Sequence, residues 1–461
     1  MPHGAATVAS DARASIPARL LRLALPVVGL NVLNVLSPAV DTAMCGRLPH
    51  ADVALTALGF AAQIVFLMLV AMIGLSVGAV ALVSRAYGAE DHARVNHVLQ
   101  QSIELTVLVA LLVATLGNAL AGPLMRVLGA EGSALDVATS YLGPMLALSV
   151  FYYLNVLLAS VLRGVGNTWL PFVTALISNA LNVVLNYGLI FGKLGLPALG
   201  VPGAAWGTVV SQAVGLAILV ATIRRGRVPG LFIPLRPHGL DRSVAKELLQ
   251  VGAPAAADLF IFNAGFLSIV GMLGRIDPVA VAAHGVGLRI QSLAFVPGLG
   301  ISQAMGAMVG NALGARDIAE AKAVFSAGLR LSTGAMTAIG FGLVAGAAPL
   351  LAVFHVAGGT TLGALSTTWM RILGLSMPIV GVYVGIMGVF RGSGDTTTSL
   401  RVNVVGTACL IPLSYLLGFP LGLGAFGVWL AFPLSFVIKA VYGLFEYRRD
   451  RWARVGVALQ A

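Results

Sequence analysis

Asp41 lies inside a long apolar stretch, in NVLNVLSPAVDTAMCG, with Asn34, Ser37 and Pro38 seven, four and three residues before it. In a helix those spacings bring all four onto one face. Pro38 has no N–H for the Asn34 carbonyl, so we expect a freed acceptor and a bend just ahead of the acid. A carboxyl in apolar surroundings can take up and release a proton, or hold a small cation. The reading without chemistry is an acid near a helix end that simply meets water. A second polar stripe stands elsewhere: Asn179, Asn182 and Asn186 at i, i+3 and i+7. Such asparagines either glue helices together or act as ligands. A second acid, Asp258, lies four residues after Pro254 in GAPAAADLFIFNAGF. Asn263 is five residues further, about 140° round a helix, so the two do not share a face. Asp258 either contacts a substrate or is neutralised by an arginine such as Arg289, and Asn263 is a further candidate substrate contact.

The elements that carry these groups follow from composition. The 461 residues are 58% hydrophobic and 10% charged, with a mean hydropathy of +0.94. Soluble domains average roughly 25% charged residues, so this chain cannot clothe a water-facing surface. Disorder is excluded on the same ground. A net charge of +11 does not indicate a nucleic-acid partner, because the charge falls mostly at the ends of apolar stretches. Two cysteines, Cys45 and Cys409, make no disulfide framework and are expected as buried thiols. Residues 1–15 are polar, and the apolar stretch after them is too long for a signal-peptide core, so we read it as a retained first membrane helix.

Stretches of about 20 apolar residues are the counting unit. The sequence yields an all-α polytopic membrane protein of twelve transmembrane helices in two six-helix pseudo-symmetric bundles. The spans run at 17–45, 53–84, 97–121, 138–162, 169–191, 203–223, 248–273, 280–312, 323–347, 367–390, 398–419 and 424–446. The expected organisation is a cytoplasmic tail (1–16), a first lobe (17–223), a basic cytoplasmic linker (224–247), a second lobe (248–446) and a cytoplasmic tail (447–461). Placing both termini in the cytoplasm puts 21 of the 28 Lys and Arg residues there, with Arg47, Arg126, Lys193, Arg275 and Arg371 outside. That asymmetry fixes the orientation. Arg289 and Lys439 fall within spans, Lys439 near an inner helix end.

The halves repeat. RGVGNT at 163–168 matches RGSGDT at 391–396, and Pro26 with Pro254 and Gln63 with Gln291 keep the same offset of 228. GLSVGAVALVSRAYGAED at 74–91 aligns with GISQAMGAMVGNALGARD at 300–317. Six spans per half give both halves one orientation, the parallel repeat seen in transporters.

These loops, their duplication, and the stretches NVVLNYGLIFGKLGLPALGVPGAAWGT (182–208) and AAHGVGLRIQSLAFVPGLGIS (282–302) resemble the multidrug and toxic compound extrusion (MATE) family, from about residue 17 to 446. The resemblance implies antiport, in which a proton or sodium ion enters while a drug or organic cation leaves. It implies a coupling-cation site in the first lobe at Asp41, Asn182, Asn186 and Thr208. Many relatives carry a second Asp where this chain has Asn186. Some use acids on helices seven and ten, and the matching positions here are Phe262 and Val380. That leaves Asp41 as the lobe's single clear acid and makes the proton the expected ion, with sodium as the alternative.

The expected protein is a monomeric secondary exporter in the inner membrane, with small-molecule drugs and lipid as its partners. No cofactor and no metal are expected. A lipid-linked oligosaccharide flippase of the same superfamily is the alternative, and a membrane enzyme or scaffold is the alternative of a different class. No phosphate-binding loop is present, since the glycines at 74–88 and 298–314 lack the strand context and the lysine that nucleotide binding needs. Glu104 and Arg330 occupy equivalent positions and are expected to snorkel to the cytoplasmic surface. His284 and His355 are expected at the outer boundary, in surface roles.

Overall fold

The computed structural model describes residues 15–233, 239–354, 356 and 359–458. His355 lies outside the described residues. Among those described the chain is all helix, with twelve spans. These are α1 (Ile16–Cys45), α2 (Ala51–Gly88), α3 (His92–Val127), α4 (Gly132–Ala147 with Ser149–Gly164), α5 (Trp169–Phe191), α6 (Val201–Arg224), α7 (Arg242–Ile276), α8 (Pro278–Gly314), α9 (Ile318–Ala345), α10 (Thr361–Ser393), α11 (Thr396–Gly418) and α12 (Gly424–Arg448). Among the described residues α3 carries a π-helical turn at Val113–Gly117, α8 is interrupted at Phe295, and only α4 bends by more than 40°. It bends by 54° at Leu148, four residues after Pro144, where the ladder has already lost one N–H. α1 stays continuous through Pro26 and Pro38.

Capping chemistry explains the repeated loops. Glu90 and Arg316 both hold φ near +60° (58° and 59°), which ends α2 and α8. The next residues, Asp91 and Asp317, accept from the backbone N–H of Arg94 (2.8 Å) and Glu320 (2.7 Å), and so start α3 and α9. Gly166 and Gly394 are left-handed at φ +80° and +75°, a conformation that costs glycine little. Asn167 and Asp395 follow, accepting from the N–H of Leu170 and Thr398, each at 3.2 Å. The duplicated loops are therefore helix stops and starts.

The chain divides into two compact units, each with its own core. One is Gly29–Gly252; the other comprises the described residues of Met1–Val28 and Ala253–Ala461. The division falls within two residues of Pro26 in α1 and of Pro254 in α7. In the second unit α10 is the central rod, packed by α8, α9 and α12. Gly392 of α10 meets the backbone of Gly306 in α8 with no room for a Cβ, the close approach that small residues allow in membrane bundles.

In the Gly29–Gly252 unit, the N-terminal part of α3 ties down the linker. Gln101 donates to the Gly239 carbonyl (3.0 Å) and accepts from the Asp241 N–H (2.7 Å). Arg94 pairs with Glu247 at 2.7 Å. His97 lies 3.1 Å from the Asp241 carboxylate, and that hydrogen bond, with help from the Ser243 N–H, holds the carboxyl below its ordinary pKa. α7 starts at Arg242, six residues before the apolar stretch, and its first turns already place Val244 and Ala245 in the core.

Candidate functional site

α1, α5 and α6 bring the four expected coupling residues of the first unit into one continuous chain of side chains. Asn186 Nδ2 donates to Asp41 Oδ1 at 2.6 Å and lies 3.3 Å from Asn182 Oδ1. Asn182 Nδ2 in turn donates to Thr208 Oγ1 at 3.2 Å. Asp41 is 8% exposed, Asn182 4% and Asn186 0%, so the carboxyl sits among protein groups and not at a wet helix end. The stripe works because i, i+3 and i+7 put Asn179, Asn182 and Asn186 along one side of α5. Asn186 has two oxygen neighbours, which fixes its nitrogen on the side of Asp41.

The other polar residues of α1 behave differently. Asn34 is exposed and lines a small cavity of about 110 Å³ within the same unit. Ser37 is half-buried and Pro38 exposed, and the Pro38 carbonyl accepts from Thr42 Oγ1 at 2.8 Å. Asn179 also lines the cavity, its amide donating to its own helix at Ala175 (2.8 Å). Composition and spacing gave no sign of Asn155, Ser178 and Gln212, which share this wall. Asn155 donates to Gln212 Oε1 at 2.9 Å, linking α4 to α6. The volume is well below the roughly 300–1,000 Å³ of sites that enclose a drug-sized ligand.

In the second unit Asp258 is wholly buried, and its partner is Arg391, not Arg289. Arg391 Nη2 lies 2.9 Å from Asp258 Oδ2, Ser399 Oγ donates to the same oxygen at 2.8 Å, and Asn403 Nδ2 donates to Oδ1. Tyr383 OH donates to Asn403 Oδ1 at 2.9 Å. Three helices, α7, α10 and α11, thus converge on one carboxylate. Arg289 is exposed. Asn263 is half-buried and donates to Leu259 within α7 at 3.1 Å, away from this cluster.

One expectation fails here. His284 is fully buried, its ring 5.0 Å from that of Trp369, so it has no surface role. Lys439 is 2% exposed; its stem lies along Gly406 of α11, where the missing side chain leaves room. Cys45 is buried and Cys409 half-buried. Among the described residues no three His, Cys, Asp or Glu side chains are grouped to hold a metal ion.

Comparison with known proteins gives the family and the fold. The MatE family model matches residues 26–188 and 254–416, two segments separated by the same 228 residues as the sequence repeat. The chain is 28% identical over 448 residues to the probable multidrug resistance protein NorM of Thermotoga maritima, covering 95% of this chain and 93% of that one. It is also 28% identical over 439 residues to the protein of the same name from Bradyrhizobium diazoefficiens, covering 93% and 92%. Among solved structures, the outward-facing conformation of a multidrug resistance MATE family transporter of the MOP superfamily superposes with a TM-score of 0.88 at 22% identity, covering 96% and 97%.

Proposed function

The chain belongs to the MatE family, and from that premise we propose that it is a secondary active multidrug exporter of the inner membrane, acting as a monomer with both termini in the cytoplasm. It exchanges an inward-moving proton for an outward-moving cationic or amphipathic compound by alternating access. Relatives named as multidrug resistance proteins along nearly the whole chain support the substrate class. The Lys and Arg asymmetry supports the orientation.

The observation that carries the coupling is the chain Asp41–Asn186–Asn182–Thr208. An ionised Asp41 only accepts hydrogen bonds, and the Asn186 amide presents its nitrogen. A protonated Asp41 also donates, and then favours the amide oxygen. Turning the Asn186 amide over reverses its bond to Asn182, and Asn182 can turn likewise against Thr208. One proton on α1 is thereby read on α6. A ligand shifts a two-state equilibrium only by its differential affinity for the two states, and this chain supplies the difference: one hydrogen-bond pattern for each protonation state. Sodium would need several oxygens turned inwards, whereas Asn186 as arranged presents its amide nitrogen to the carboxylate.

The test is drug susceptibility and dye accumulation in a pump-deficient bacterium, followed by transport in proteoliposomes. Expression should raise resistance to several unrelated cationic compounds and lower dye retention. Unchanged susceptibility at full membrane expression would overturn the exporter reading.

A further inference from the structure

In the second unit Arg330 stands at one end of a groove on the exposed side of α9. The groove has a volume of about 810 Å³ and runs past Gly334, Thr337 and Ala338 to Phe341, with Val382 of α10 as its side wall. Spacings of four, seven, eight and eleven residues put these groups of α9 on one helical face. The groove follows from residue size. Gly381 lets α10 approach so closely that a Cβ there would lie 2.8 Å from Thr333 Cα, which brings the neighbouring Val382 up beside α9. On the exposed side a Cβ at Gly334 would meet nothing within 4 Å. Thr337 and Ala338 are short, and Phe341, 76% exposed, closes the far end.

The charge at the head of the groove is unmatched. Arg330 Nε donates to the Ser326 carbonyl at 3.2 Å, which holds the side chain back towards the start of α9. Among the described residues it makes no ion pair, and acids at that end of the helix are engaged: Glu320 with Arg19 at 3.0 Å and Asp450 with Lys322 at 2.9 Å. Its two Nη groups are left for an outside partner. No charged residue follows from Leu331 to Phe354, so Arg330 marks where the apolar part of α9 begins. From Arg330 to Phe341 the helix rises about 16 Å, half of the roughly 30 Å hydrocarbon core of a bilayer. The groove is as deep as one leaflet.

We propose that this groove binds one anionic phospholipid, with its phosphate on the Nη groups of Arg330 and one acyl chain laid along Gly334 and Ala338 to Phe341. A planar guanidinium suits a phosphate, and a single guanidinium matches a single phosphodiester. The fitting class is therefore a lipid with one phosphate and no cationic headgroup, such as phosphatidylglycerol. A free phosphate would use the arginine and leave the apolar length of the groove unfilled. The site goes beyond the exporter reading and needs only that α9 crosses a membrane.

Native mass spectrometry of the purified full-length protein tests it. Titration with phosphatidylglycerol or phosphatidylcholine of the same acyl chains measures the first binding constant for each lipid. The wild type should bind phosphatidylglycerol more tightly. Arg330→Gln should weaken phosphatidylglycerol about fivefold, the scale of one arginine at a charged membrane surface, and phosphatidylcholine less than about twofold. Gly334→Leu, whose side chain fills the groove, should weaken both lipids to a similar degree. Inorganic phosphate should not displace phosphatidylglycerol. A wild type without preference, an unchanged preference in Arg330→Gln, unchanged binding in Gly334→Leu, or displacement by inorganic phosphate overturns the site. A complex of two chains that excludes the lipid and is lost in Gly334→Leu would assign the groove to a second copy and overturn it likewise. Should Arg330→Gln not fold, the wild-type preference and the response of Gly334→Leu decide.

Discussion

Gly207 of α6 faces the carboxamide of Asn186 on α5, and a Cβ at position 207 would fall on the space that Asn186 Oδ1 occupies. The glycine therefore lets Asn186 stand between the helices and reach Asp41 at 2.6 Å. Gly207→Ala should push the amide away from the carboxylate while adding only one methyl group. A hydrogen bond to a charged group contributes about 1.5–3 kcal/mol, so efflux should fall by about tenfold or more. Dye accumulation at matched expression measures this. Wild-type efflux from Gly207→Ala would mean that the Asn186–Asp41 contact does not matter to transport.

Asp41→Asn should abolish efflux and leave the protein folded and inserted. The amide cannot change charge, so the hydrogen-bond chain is held in one state. Expression, gel-filtration profile and melting midpoint should match the wild type within error. Drug resistance at the wild-type level in this mutant would exclude Asp41 as the coupling group.

Asn182→Leu or Asn186→Leu should damage coupling more than Asn179→Ala or Asn263→Ala. The first two residues are links between Asp41 and Thr208. The latter two donate to carbonyls of their own helices. Efflux against an imposed ion gradient, compared across the four variants, separates the two classes. Equal losses in all four would point to packing damage.

Asp258→Asn should destabilise the second unit, because it leaves the Arg391 guanidinium without its carboxylate. Breaking a buried pair by removing one partner costs about 3–5 kcal/mol, and Arg391, being part-exposed, keeps some solvation, so about 2 kcal/mol is the expected scale. The melting midpoint in detergent should fall by about 5 °C. A variant with unchanged melting but altered substrate affinity would assign Asp258 to substrate contact instead of neutralisation.

The helices and the first-unit site were readable because their signals are local. Apolar length marks a span, and the i, i+3, i+7 spacing of Asn179, Asn182 and Asn186 marks a face. The duplicated RGVGNT and RGSGDT loops were visible as a repeat, but their physical content, a left-handed glycine followed by a capping Asn or Asp, needed the backbone. Thr208 came from family resemblance, since one threonine in an apolar helix carries no pattern of its own. The second unit was harder because its partners are far apart in sequence. Arg391 belongs to a loop in the hydropathy pattern, yet α10 continues to Ser393 and carries it to Asp258. Lys439 reads as a helix-end lysine until Gly406, 33 positions earlier, is found to lie against its stem. Asn155 and Gln212 pair across two helices, and neither sequence neighbourhood announces the other.

A pH gradient alone should drive export, with sodium dispensable. The first-unit site holds one carboxylate, Asp41, and its neighbour Asn186 presents an amide nitrogen. Sodium prefers several oxygen ligands, and the helix-seven and helix-ten positions where the family resemblance implies further acids are Phe262 and Val380 here. A proton needs only the one carboxylate and a hydrogen-bond pattern that differs between its two forms. In proteoliposomes without sodium, an inward proton gradient relative to the cell orientation should export substrate; collapsing that gradient should stop it, and reversing the gradient should reverse the flow. Asp41→Asn should abolish all three responses. Transport that requires a sodium gradient and ignores pH would exclude the proton, and the same vesicles with Asp41→Asn would then tell whether Asp41 holds the sodium ion instead.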